Sequence, residues 1–253
     1  MGILFKAKTN EGFMFKILGE ILHNTFKIIP INITNEGIFS KVIDSHKKIL
    51  LDIQLISTNF NIWNFTSTND ILFGLNITHF YKIINSIKKK DSLTFIIDDE
   101  NINELQIIIT PREKDHVEIS TLSIQNIQSI DVEVPNDYKH PVHVSSNKFQ
   151  KMCKDLLNIG KEISISGNEN FVIFECETPG IFKKKITFGE KSENMENDEI
   201  ICIHTFESEQ LVKISKIASL FHILYIYLEK DMPLLIKTQI GTIGNISIYI
   251  KNN

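Results

Sequence analysis

The chain has 253 residues, 42% of them hydrophobic and 23% charged, with a formal net charge of −4. That is the balance of a globular protein of one or two domains. A mildly acidic chain excludes a protein that coats nucleic acid by bulk charge, so any contact with phosphates has to come from a local basic patch. The three cysteines, Cys153, Cys176 and Cys202, form no CxxC pair. Their spacing carries no zinc or redox motif and fits a reducing compartment. The start of the chain lacks the charged-then-apolar pattern of a signal peptide, and Lys6 replaces the Ser or Thr of a myristoylation site. No apolar run reaches membrane-spanning length.

Along the chain, period-2 stretches alternate with four helical patterns. The first helix is predicted over 12–23, with Phe13, Met14, Ile17, Leu18, Ile21 and Leu22 on one stripe and Lys16, Glu20 and His23 outward. The second is predicted over 78–89, with Phe80, Ile83, Ile84 and Ile87 inward and Lys82, Asn85 and Lys89 outward. "LTFIIDD" and "LQIIIT" then read as strands. The third helix starts near 147. Phe149, Met152, Cys153, Leu156 and Leu157 share its stripe, while Lys151, Lys154 and Asn158 fall opposite. "ISISGNENFVIFECE" follows as strands. The fourth helix is predicted over 207–219, with Leu211, Ile214, Ile217 and Ala218 inward and Lys213 and Lys216 outward, beside Glu209. "NISIYIK" closes the pattern as a strand. Polar clusters at 34–37, 98–104, 166–170 and 189–199 punctuate the strands, and the last reads as a mobile loop.

The helix starts, near 12, 78, 147 and 208, recur at similar spacing, and strands follow each one. The chain therefore reads as four copies of one strand, helix, strands unit. Paired units give an α+β fold of two similar domains, 1–115 and 145–253, joined by 116–144. That join lacks the Gly/Ser-rich composition of a loose linker. "SIDVEVP" reads as extended, and Pro135 and Pro141 stiffen it.

Lysine on the back of one helix is routine, because a helix back is solvated. Four such helices, regularly spaced, suggest one basic wall, diluted by Glu20, Asp155 and Glu209. No catalytic constellation competes with this. The chain has no P-loop, GxSxG or HExxH. Asp98, Asp99 and Glu100 read as a solvated loop, and His140 and His143 flank Pro141 without further ligands nearby. The expectation is a protein that is not an enzyme, with no catalytic residue, metal site or cofactor.

Several stretches resemble the proliferating cell nuclear antigen family, the eukaryotic sliding clamps. "KFQKMCKDLLNIGKEISIS" is similar to the family's third helix and the strand after it. "NEGIFSKVIDSH" (35–46), "FGLNITHFYKII" (73–84), "VEVPNDY" (132–138), "KDMPLLI" (230–236) and "GNISIYI" (244–250) occur in the family's order and near its spacing. The resemblance covers nearly the whole chain. It implies the DNA clamp fold, with helices on one face of curved antiparallel sheets. It further implies a homotrimeric ring whose twelve helices surround double-stranded DNA, and a function as polymerase processivity factor and docking platform. The partners so implied are DNA, a DNA polymerase, a clamp loader and other proteins carrying the clamp motif.

Residue by residue, Lys16, Lys82, Lys151, Lys154 and Lys216 fall where the family carries basic residues. His23 and Asn85 replace lysines, Asn158 replaces a histidine, and Glu209 takes a basic position. With Lys89 and Lys213, and without Glu209, these form the expected DNA-facing set, around a less positive bore. Phosphate contacts carry no sequence information, which suits a ring that must slide. The resemblance sets the subunit interface at two edges, Glu113, Asp115 and Glu118 on one and Lys183, Lys184 and Lys185 on the other. Opposite charges would favour their pairing, although charges also blunt exposed edges. It sets the partner-peptide pocket at Ile43, Val132, Val134, Pro135, Pro233 and Tyr249, with Ile250 beside them. Lys251 stands where the family has a small residue. A subunit of a hetero-oligomeric checkpoint-type clamp, a monomeric or dimeric viral processivity factor, and a scaffold that keeps only the fold remain as alternatives. The expected location is the nucleus, or a cytoplasmic replication compartment for a large DNA virus.

Overall fold

The computed structural model describes residues 2–113, 115–128, 132–190, 200 and 202–251. Most of the polar stretch expected as a mobile loop, 191–199, lies outside them. In chain order the elements are β1 (Ile3–Thr9), α1 (Gly12–His23), β2 (Ile28–Ile33), β3 (Gly37–Ile43), β4 (Ile49–Ile56), β5 (Ile62–Phe65), β6 (Ile71–Asn76), α2 (Ile77–Ile84), β7 (Ser92–Asp98), β8 (Glu104–Thr110) and β9 (Glu118–Ser123). They continue with β10 (Val142–Ser145), α3 (Ser146–Leu157), β11 (Glu162–Gly167), β12 (Phe171–Thr178), β13 (Phe182–Gly189), β14 (Cys202–Glu207), α4 (Ser208–Ile214), β15 (Ile223–Tyr227), β16 (Leu234–Ile240) and β17 (Gly244–Ile250). A strand precedes each helix, directly or across residues 10–11, and strands follow it, so the fourfold recurrence read from the sequence is present. The chain divides into two compact units, one of 1–42, 51–132 and 239–246, the other of 43–50, 133–238 and 247–253.

In the first unit one antiparallel sheet runs β5-β1-β7-β8-β9, and β2 pairs with β3 and β6. Two helices pack on this framework. Phe15 of α1 meets Phe95 of β7 edge-on at 5.1 Å, and Phe80 of α2 stacks on the same ring at 6.3 Å. Here the structure corrects the expected phase of α1: Phe15 is buried, whereas Phe13 and Met14 are half-exposed. The run Phe13–Met14–Phe15 is apolar all round, so periodicity alone does not set its phase. α2 opens on Asn76, whose side chain accepts the N–H of His79 at 3.1 Å. It closes at Ile84, short of the expected end, because Ser86 turns its hydroxyl back on the Ile83 carbonyl and Asp91 accepts the Lys88 N–H at 2.8 Å. Ile87 stays buried in the turn that results.

In the second unit the sheet order is β13-β12-β11-β14, and β10 pairs with β15 and β15 with β16. α3 lies on this framework through Phe149, 6.0 Å from Phe174 of β12. Cys153 is a core residue, and burial pushes its thiol up to about 12. Leu157, expected on the stripe, is exposed instead. It is the last helical residue, where the backbone turns away, and Leu156 takes the core position. The fourth helix is shorter than expected. Ser215 donates its hydroxyl to the Val212 carbonyl at 2.7 Å, and residues 215–219 continue as a 3₁₀ turn. Ile217 and Ala218 remain buried in that turn.

Candidate functional site

The helix backs carry most of the expected cations. In the first unit Lys82 and Asn85 are exposed, and His23 stacks on Tyr81 with ring centres 5.0 Å apart. Lys16 is half-buried and its Nζ donates to the Ile87 carbonyl at 3.4 Å. Lys89 is exposed but sits in the turn after α2, not on the helix. In the second unit Lys151 and Lys154 are exposed on α3. Lys148, absent from the expected set, is exposed on α3 about one turn before Lys151. Asn158 caps α3, donating its side-chain N–H to the Lys154 carbonyl at 3.1 Å. Lys213 is exposed on α4 beside exposed Glu209, and Lys216 is half-exposed on the 3₁₀ turn, not on an α-helix. Asp155, expected to dilute the positive charge, has a cation of its own: Lys184 Nζ lies 3.0 Å from its carboxylate.

The two expected edges are strand edges. β9 ends the first unit's sheet and β13 ends the second unit's. Only Glu118 lies on β9, however; Glu113 and Asp115 are in the loop before it. His116 bridges there, 2.7 Å from Asp115 and 3.6 Å from Glu118. Its hydrogen bond to Asp115 raises the histidine's pKa and lowers the aspartate's. On β13, Lys183 pairs with Glu175 at 2.7 Å and Lys184 with Asp155, leaving Lys185 exposed. The expected charge complementarity is thus partly spent within the chain. What both edges show instead is apolar side chain: Ile119 on β9 is 65% exposed, with exposed Val117 just before the strand, and Phe182 on β13 is exposed, with Ile181, 83% exposed, in the turn just before it.

A pocket of about 590 Å³ opens in the second unit. Ile43, Pro135, Pro233 and Tyr249 line it together, with Leu50 and Met232. Val132 and Val134 do not line it. Ile250 is fully buried and, next to Tyr249 on a strand, points to the other face. The turn after β3 is set by Asp44, and the segment carrying Pro135 is held at Tyr138, whose hydroxyl donates to the Pro233 carbonyl at 2.7 Å. His204 lines the pocket from β14, and burial lowers its pKa. The lining lysines Lys47, Lys48 and Lys230 leave no signal in the sequence pattern, because separate turns bring them together.

Two family models match, the N-terminal domain of proliferating cell nuclear antigen over residues 4–134 and its C-terminal domain over 133–253. The chain belongs to the proliferating cell nuclear antigen family. It is a DNA sliding clamp, a processivity factor rather than an enzyme. It is similar to a probable DNA polymerase sliding clamp of Paramecium bursaria Chlorella virus 1, 23% identical over 98% of this chain and 96% of the relative. It is also similar to the proliferating cell nuclear antigen of Chaetomium thermophilum, 20% identical over 98% and 97%, and to proliferating cell nuclear antigen 2 of Plasmodium falciparum, 27% identical over 90% and 88%. Family membership brings DNA and replication proteins as its partners. No helix among the described residues is long and apolar enough to cross a membrane.

Proposed function

We propose that this clamp closes into a ring of three identical copies around duplex DNA. The observation that carries this reading is the pair of end strands with exposed apolar side chains, Ile119 on β9 after exposed Val117, and Phe182 on β13 after exposed Ile181. An edge strand with unpaired backbone and apolar side chains invites a strand from another copy. Two different edges on one chain make a head-to-tail contact, which closes into a ring when the rotation permits. Glu118 and Lys185 add opposite charge to the two strands.

In such a ring the cations Lys16, Lys82, Lys89, Lys151, Lys154, Lys213 and Lys216 face the phosphates, together with His23, Asn85 and Asn158. Contacts of this kind are screened and carry no sequence information, so DNA is centred without being gripped. The pocket at Ile43, Pro135, Pro233 and Tyr249 takes a segment with a glutamine and an aromatic anchor from the polymerase, the clamp loader and other partners. The place of action is the nucleus, or the replication compartment of a large DNA virus.

Light scattering on a sizing column tests the ring. A mass three times that of the chain is expected over a range of concentrations. A monomer at every concentration would sink the homotrimer and favour a ring made with different chains.

A further inference from the structure

The partner pocket has a charged rim that its apolar floor does not require. Lys47, Lys48, Lys230 and Lys251 line it, against one acidic lining residue, Asp231. Lys47, Lys230 and Lys251 are exposed, and Lys48 is half-exposed, 3.5 Å from Glu207. This local surplus opposes the chain's net charge of −4.

The rim is also held in place. The buried carboxylate of Asp44 accepts the backbone N–H groups of His46, Lys48 and Ile49, at 3.2, 2.7 and 2.7 Å. This fixes the turn that carries Lys47 and Lys48. The backbone N–H of Lys251 donates to the Lys48 carbonyl at 2.8 Å, which sets those two residues side by side. Lys47 and Asp231 have φ of 55° and 60°, the two positive values among the described residues other than glycine. Left-handed backbone is unfavourable for a residue with a Cβ and persists where the surroundings enforce it. Both instances line this one pocket.

We propose that the pocket selects partner segments whose aromatic or apolar anchor is flanked by aspartate or glutamate. This rests on the reading of the pocket as the partner-peptide site. The anchor fills the floor formed by Ile43, Pro233 and Tyr249. The flanks lie among four ammonium groups, of which Lys48 is paired with Glu207, and the Asp231 carboxylate, so the balance stays positive and an acidic flank is attracted and a basic one repelled. Lysine heads on flexible stems suit carboxylates whose positions differ from partner to partner.

The test uses the full-length protein and three synthetic peptides that share one glutamine-plus-aromatic core. One is flanked by Asp and Glu, one by Ala and Ser, and one by Lys. At low salt the acidic peptide is expected to bind about tenfold tighter than the neutral one, with the basic peptide weakest, and the spread to collapse at about 0.5 M salt. Lys230→Glu combined with Lys251→Glu is expected to erase or reverse that order. Equal affinity of the acidic and neutral peptides for the wild type would overturn the charge selection alone. Tyr249→Ala, with Ile43→Ser at an exposed lining position as a milder second variant, separates the two readings. Weaker binding of all three peptides keeps the pocket as their site. Unchanged binding of all three to both variants would overturn the pocket and the selection together.

Discussion

Tyr138 and Pro233, 95 positions apart, are joined by a hydrogen bond of 2.7 Å from the tyrosine hydroxyl to the proline carbonyl. The same ring meets Tyr227 edge-on at 5.8 Å and Tyr249 at 6.1 Å. Burial first, then the neighbouring Tyr249 and Glu229, pushes the phenol's pKa up, so the hydroxyl stays a donor at working pH. Tyr138→Phe keeps the ring contacts and removes the tie between the Pro135 segment and the Pro233 turn. The loss of one such bond is expected to cost about 1 kcal/mol of stability, read from urea midpoints. Calorimetric titration with a glutamine-plus-aromatic peptide is expected to show severalfold weaker binding. Unchanged values in both measurements would show that the bond does not organise the pocket.

Gly19 and Ile84 set how closely α1 and α2 approach. A Cβ on Gly19 would sit 2.5 Å from Ile84 Cδ1 and 3.4 Å from a ring carbon of Tyr81. Gly19→Ala gains about 1 kcal/mol of helix propensity but overpacks a fully buried contact, which costs about 1–3 kcal/mol. A net loss of about 1 kcal/mol is expected. Ile84→Val removes the clashing methyl. The pair should therefore be more stable than the sum of the single changes predicts, with a coupling of at least about 0.5 kcal/mol in a double-mutant cycle. Additive effects would mean that the helices separate freely at this point.

The fourfold pattern was legible because each helix carries apolar residues at helical spacing among strands of period two. What periodicity could not read was phase and end. Phe15 rather than Phe13 faces the core, because three successive apolar residues satisfy either choice. α2 stops at Ile84 because Ser86 and Asp91 bond the backbone locally, while the inward Ile87 keeps the apolar spacing intact. The pocket was half legible. Ile43, Pro135, Pro233 and Tyr249 came from the family resemblance, whereas Lys47 and Lys230 come from turns whose left-handed residues and buried Asp44 leave no periodic trace. The edge charges were legible as letters but not as pairs, because Lys183 and Lys184 find acids within their own unit.

Ser40 is a polar residue in the wrong surroundings. It is 4% exposed, and its hydroxyl has no hydrogen-bond partner among the described residues. It lines a cavity of about 60 Å³ in the first unit whose other walls are Phe, Leu and Ile side chains. An unsatisfied buried hydroxyl costs about 1–3 kcal/mol. Ser40→Ala should therefore raise stability by about 1 kcal/mol, less a small loss of packing. Thermal unfolding of the two proteins measures it. A clear fall in midpoint would show that the hydroxyl is bonded in solution.

His204 makes stability depend on pH with a predictable sign. It is 4% exposed, and burial lowers its pKa, opposed in part by a hydrogen bond involving the Glu229 backbone. The unfolded chain takes up this proton near pH 6.5, and the folded chain only at lower pH. Between the two values the unfolded state binds more protons, so stability is full above about 6.5 and falls as the pH drops toward the folded pKa. His116 works the other way. Its pKa is raised by Asp115, so its contribution is present at low pH and is lost as the pH rises through the folded value. Comparing wild type with His204→Gln cancels His116 and isolates His204. Urea midpoints measured from about pH 7.5 to 5.5 are expected to fall less steeply in the variant, even if its stability at the upper end is lower through the lost hydrogen bond. Parallel profiles would mean that His204 titrates alike in the folded and unfolded chains and is open to water in solution.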